Sequence, residues 1–153
     1  MKSRVFILMA IVALTAPLLQ AGDDAVYFGP GQIKWQPAPP DLPKGAKLAV
    51  LQGDPGQPGP FTIRLSMPAG YTIPPHKHTH AESVTVISGV VYVGLGETFD
   101  KAGLREIKTG GFQHLGAQVP HFAWTKGKAV IQVQSEGPFD IHFFDPPAKA
   151  DMQ

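Results

Sequence analysis

The chain of 153 residues contains no cysteine. That excludes disulfides and a lipid-modified N-terminal cysteine, and it leaves stability to the packed core. Charge is sparse as well. Only 16% of residues are charged, with 13 Lys and Arg against 12 Asp and Glu, and no basic run occurs. A nucleic-acid partner is therefore not expected. The main apolar run, residues 5–14, falls short of the about 20 residues that a membrane span needs. Long helices are excluded by 16 prolines and 17 glycines, which break helices and favour short strands joined by turns. No Ser-His-Asp set, phosphate loop or pair of catalytic carboxylates is present.

The N-terminus has the form of a secretory signal. Lys2 and Arg4 precede the apolar run, and Ala21 is a suitable last residue before cleavage. Cleavage there leaves 132 residues and, by removing Lys2 and Arg4, shifts the net charge from +1 to −1. The expected product is an exported protein, periplasmic or secreted, with no membrane attachment after cleavage. Its expected organisation is a signal at 1–21, an extended Pro-rich arm at 22–46, one β domain at 47–145 and a polar tail at 146–153. The arm carries Pro37, Pro39, Pro40 and Pro43 together with the apolar Tyr27, Phe28, Ile33 and Trp35.

Strand patterns fill the domain. Residues 47–52 read as a strand, and 53–60 (GDPGQPGP) as a turn. Residues 61–67 alternate, with Phe61, Ile63, Leu65 and Met67 on one face. Strands are also expected at 84–87, 90–95, 104–108, 129–134 and 139–144, with a helical turn at 98–102.

One stretch carries chemistry. Residues 70–89 read GYTIPPHKHTHAESVTVISG, which places His76, His78, His80 and Glu82 within seven residues. All four share one parity, so an extended chain would display them along one face of a sheet. Imidazole and carboxylate suit Zn, Fe, Ni, Cu or Mn, and two His with one carboxylate can hold a single ion with open positions. A second informative segment, FQHLGAQVPHFAW at 112–124, carries His114 and His121. Its aromatics Phe112, Phe122 and Trp124 are candidates to line a pocket, with ordinary packing the preferred reading.

The first segment resembles the first signature of the cupin superfamily: Gly, five residues, His-x-His, three residues, Glu, six residues, Gly. Gly70, His76, His78, Glu82 and Gly89 meet every spacing. The second cupin signature ends in a metal-binding His, and Gly110 and Val119-Pro120-His121 match it here. Gly116, Gln118 and Thr125 depart from it, standing where Pro, Gly and Asn are usual. The resemblance spans roughly residues 47–144. It implies an all-β fold with a single jelly-roll-like β-barrel, and metal ligands at His76, His78, Glu82 and His121. It also implies one divalent transition metal (Fe, Mn, Ni, Zn or Cu) and a homodimer.

The functional expectation is a mononuclear metal-dependent enzyme, dioxygenase-like or an isomerase, acting on a small oxygenated molecule. The alternative is a non-catalytic module that binds a metal or small ligand outside the cytoplasm. No role is assigned to His80, His114 or His142.

Overall fold

The computed structural model describes residues 25–145. The expected signal at 1–21 and the tail at 146–153 lie outside these residues. After a 3-10 turn at Pro30–Gln32 the described chain is built from strands. In order they are β1 (Gln36–Pro37), β2 (Lys47–Gln52), β3 (Gly59–Met67), β4 (Thr72–Lys77), β5 (Glu82–Ser88) and β6 (Val90–Leu95). There follow β7 (Arg105–Lys108), β8 (Phe112–Leu115), β9 (His121–Trp124), β10 (Ala129–Gly137) and β11 (His142–Phe143).

These strands make two antiparallel sheets. The larger has the order β1-β2-β3-β10-β5-β8, and the smaller β11-β4-β9-β6-β7. The single closed barrel expected from the sequence is not what the ladders describe. The chain changes sheet by breaking: between β4 and β5 through residues 78–81, and between β5 and β6 at Gly89. Of the four outermost strands, β1 and β11 are only two residues long and β7 and β8 four, and among the described residues no ladder joins the edge of one sheet to the edge of the other.

The core lies between the sheets. On β3 the expected face is buried, with Phe61 and Met67 each 1% exposed. Ala129, Ile131 and Val133 of β10 pack beside it, across from Val91 and Val93 of β6. Gly89 has φ +78°, a conformation that costs other residues energy. A Cβ there would strike the Lys128 carbonyl and lie 3.0 Å from the Ala129 Cα.

The segment ahead of β2 is tied to this sandwich. β1 pairs with β2, Ala38 and Leu42 pack on the core, and the Tyr71 hydroxyl donates to the Pro43 carbonyl at 2.6 Å. Tyr27 and Phe28 remain exposed.

Thr125, one of the departures from the cupin pattern, is fully buried. Its hydroxyl donates to the Pro68 carbonyl (2.8 Å) and accepts from the Tyr71 N–H (3.2 Å). It therefore clamps the turn that launches β4. Gln118, a second departure, adopts φ +64° at the position where Gly is usual, and its N–H donates to the His78 carbonyl at 2.9 Å. The turn before His121 is thus fastened to the connector that carries His78.

Candidate metal centre

Pro74 and Pro75 decide how β4 presents its histidines. Neither has an N–H to give a ladder, and the β4–β9 register slips between Ile73 and His76. Ile73 faces Ala123 and His76 faces His121, so three residues on β4 span two on β9. This bulge turns both Ile73 and His76 inward although they differ in parity.

The shared-face argument for residues 76–82 therefore does not describe how these side chains come together. β4 ends at Lys77, and Glu82 opens β5 in the other sheet. The side chains converge from the two walls of the sandwich. His76 and His121 are register partners in one sheet, Glu82 comes from the other, and His78 lies in the connector between them. All four are buried, at 4 to 7% exposure.

One ligating nitrogen from each of His76, His78 and His121 lies within 4.8 Å of the other two. The ring tautomers follow from the neighbours. Nδ1 of His76 faces the Pro74 carbonyl at 2.7 Å, and Nδ1 of His121 faces the Val119 carbonyl at 3.0 Å. Nδ1 of His78 faces the Asp140 carbonyl. A carbonyl only accepts, so each Nδ1 must carry the proton, and each Nε2 is left as a lone pair aimed at the centre. Fixing a ring this way is how proteins orient metal-ligating histidines.

Glu82 completes the group. Its Oε1 is 3.1 Å from His121 Nε2, and its Oε2 is 3.7 Å from His78 Nε2. With both Nδ1 positions already committed, acceptors face acceptors, and only a shared proton or a cation between them removes the repulsion. Three imidazole nitrogens around one point, with a carboxylate against two of them, suit a divalent transition metal.

Burial, with the His121 ring beside it, pushes His76 down from 6.5 to about 2. Burial also lowers His78. Both stay neutral at physiological pH, as ligands must. The folded value of His76 lies below its unfolded value, so its contribution to stability is complete above pH 6.5 and is lost as the pH falls toward 2. As the pH falls from 6 to 4 the metal-free protein should lose stability steadily, because the unfolded chain takes up protons that the folded His76 refuses. Urea unfolding at three pH values in that range measures it, and a flat profile would contradict the burial argument.

The segment after β10 braces His78. Phe139 stacks on its ring, with centroids 4.4 Å apart and planes at 20°. The Asp140 carboxylate accepts from the Thr79 N–H (2.8 Å) and hydroxyl, and meets His142 Nε2 at 2.9 Å. Burial would raise Asp140, but these donors outweigh it and hold the carboxyl at about 2. Residues 139–144, expected as one strand, pair only at His142 and Phe143 because the preceding residues serve this brace. Neither Phe139 nor Asp140 carried a local signal, since each acts on His78 from about sixty positions away.

The remaining histidines stand apart from the cluster. His80 is half-buried in the connector, His114 meets Ser83 Oγ at 3.0 Å on the outer face, and His142 reaches only Asp140.

A cavity of about 320 Å³ opens beside the cluster between the two sheets. Ile63, Val84 and Ile131 form one wall, and Ile73, Val91 and Val93 the other. None of the three candidate aromatics lines it. Phe112 is exposed, Phe122 packs under Phe99, and Trp124 sits against Tyr92.

Comparison with known proteins agrees with this architecture. Residues 23–121 match the family model described as the ChrR cupin-like domain. A search of curated proteins finds no match. Among solved structures, a putative acetylacetone dioxygenase from Methylibium petroleiphilum PM1 is 19% identical with a TM-score of 0.64, covering 86% of this chain and 91% of its own. The polyketide cyclase RemF from Streptomyces resistomycificus is 15% identical with a TM-score of 0.67, over 80% of this chain and 87% of its own. The DMSP lyase DddQ from Ruegeria pomeroyi DSS-3 is 17% identical with a TM-score of 0.60, over 76% and 63%. At these identities the likeness is one of fold.

Proposed function

The chain belongs to the ChrR cupin-like domain family, and from that premise we propose that it is a mononuclear metal-dependent enzyme, dioxygenase-like, acting on a small oxygenated molecule. The observation that carries this reading is the convergence of three Nε2 lone pairs and Glu82 at the wall of an apolar cavity. His76, His78, His121 and Glu82 would hold the ion. When bound, it supplies Lewis acidity toward substrate oxygens and, if it is Fe, redox chemistry with O2. The chain's own residues do the rest. The backbone carbonyls of Pro74, Val119 and Asp140 keep the three rings in the ligating tautomer. The aliphatic walls exclude water and orient an apolar substrate body. In this reading the two sheets are the halves of one jelly-roll barrel, and the mature protein is exported and works as a homodimer.

A single observation favours a second reading, a non-catalytic module that binds metal or a small ligand. Of the three lining carboxylates, Glu82 is a proposed ligand, Asp140 is committed to Thr79 and His142, and Asp41 is exposed to solvent. No spare histidine acts as acid or base there. An oxygen-uptake screen of the Fe-loaded protein with small diketones, phenols and 2-oxo acids separates the two. Turnover that vanishes on His76→Ala is expected, and none with any compound would favour the binding module.

A further inference from the structure

The cavity that adjoins the metal cluster has two polar side chains left over, the exposed Asp41 and the uncharged amide of Gln113. Gln113 of β8 lines it directly. Its register partner is Val84, whose side chain faces the same space, and directly opposed residues share a face of the sheet. Its neighbours Phe112 and His114 point the other way and are exposed. Ser83 and His114 satisfy each other on that outer face, while the Gln113 amide has no side-chain partner among the described residues. An amide facing a space walled largely by aliphatic side chains is free to hydrogen-bond what enters it.

The ladder also places Gln113 away from Glu82 along the sheet. The Glu82–Leu115 pair lies two residues along the same ladder from Val84–Gln113. Two residues of strand cover about 7 Å. The charge of the lining sets the chemistry. Its ionisable side chains other than the histidines are Asp41, Glu82 and Asp140, and no Lys or Arg is among the lining residues. A phosphate, a sulfate or a second carboxylate would find no counter-charge away from the metal. The size is modest too: a cavity of about 150 Å³ accepts benzene, and this one is about 320 Å³.

Resting on the metal-site reading above, we propose that Gln113 determines specificity by hydrogen-bonding the end of the substrate remote from the metal. The substrate class is a small, compact molecule with an apolar body. It carries one oxygen-chelating group and, at its other end, one uncharged hydrogen-bonding group. Polyanions and sugars lie outside this class.

The test uses the full chain loaded with one equivalent of Zn(II), under argon, and three catechols as chelating probes. The compounds 4-(hydroxymethyl)catechol and 4-ethylcatechol are nearly isosteric and differ in the remote oxygen. The third, 3,4-dihydroxybenzoate, places a charge there. Calorimetric titration should show the hydroxymethyl probe bound more tightly than the charged one by at least about tenfold. In Gln113→Leu its Kd should weaken about five- to tenfold, the value of one hydrogen bond, while the ethyl probe changes less than about twofold or tightens. Gln113→Met, which keeps the chain length and removes the amide, repeats the test if the leucine variant does not fold. Equal effects on the hydroxymethyl and ethyl probes, or none on either, would overturn the role of Gln113 and leave the metal site standing. Tight binding of the benzoate would overturn the uncharged class. If no catechol binds the zinc-loaded wild-type protein, the open metal site itself fails, and this inference with it.

Discussion

Replacing His121 by alanine is expected to lower metal affinity by more than about 100-fold. The expectation follows from where its ring sits. Nε2 faces the shared centre 3.1 Å from Glu82 Oε1, and Nδ1 is spent on the Val119 carbonyl. No other described imidazole can swing into its place, because His80 lies outside the cluster and His114 is on the outer face of the sheet. Loss of a residue that merely orients a ligand already costs 10- to 100-fold, so loss of a ligand should exceed that. Competition against a chromophoric chelator gives the affinities. His114→Ala is the control and should stay within about twofold of wild type. A His121→Ala variant that binds as the wild type does would remove this residue from the site.

The second large effect is on folding. Gly89→Val should destabilise the protein by about 3 kcal/mol or more. The φ of +78° costs a side-chain-bearing residue about 1–2 kcal/mol, and more when it is β-branched. The added Cβ would also collide with the Lys128 carbonyl at the start of β10, where backbone rather than a pliant side chain must give way. Overpacking of this kind adds about 1–3 kcal/mol. Gly89 is one of the points at which the chain passes from one sheet to the other, so strain there pulls on both. Denaturant midpoints of the two proteins at equal m-values measure it. A change under about 1 kcal/mol would mean that the crossing is softer than the contacts indicate.

Much of the candidate site was legible in the sequence because its spacing is local. Gly70, His76, His78, Glu82 and Gly89 fall within twenty positions, and all keep to a fixed pattern. The alternation of residues 61–67 was equally plain, since β3 is buried on one face only. What misled was parity. It presumes an unbroken strand, whereas the Pro74-Pro75 bulge changes phase at His76 and the chain leaves the sheet after Lys77. Parity placed His80 with the ligands for the same reason, and the break at 78–81 turns it away. The brace on His78 was invisible for a different cause. Phe139 and Asp140 act by a ring face and a main-chain carbonyl, and neither leaves a residue-type signature at a fixed offset. Gln113 became informative only when its ladder partner Val84 was seen to face the cavity. The helical turn expected at 98–102 forms slightly later, at Lys101–Gly103, because Asp100 caps it by accepting from the Ala102 N–H.

The central claim is that His76, His78, His121 and Glu82 hold one transition-metal ion. Elemental analysis of the protein purified without added metal, beside His78→Ala prepared identically, tests it most directly. About one equivalent of Fe, Mn, Ni, Zn or Cu per chain in the wild type, and close to none in the variant, is the predicted result. No metal in the wild type, or equal amounts in the two proteins, would contradict it.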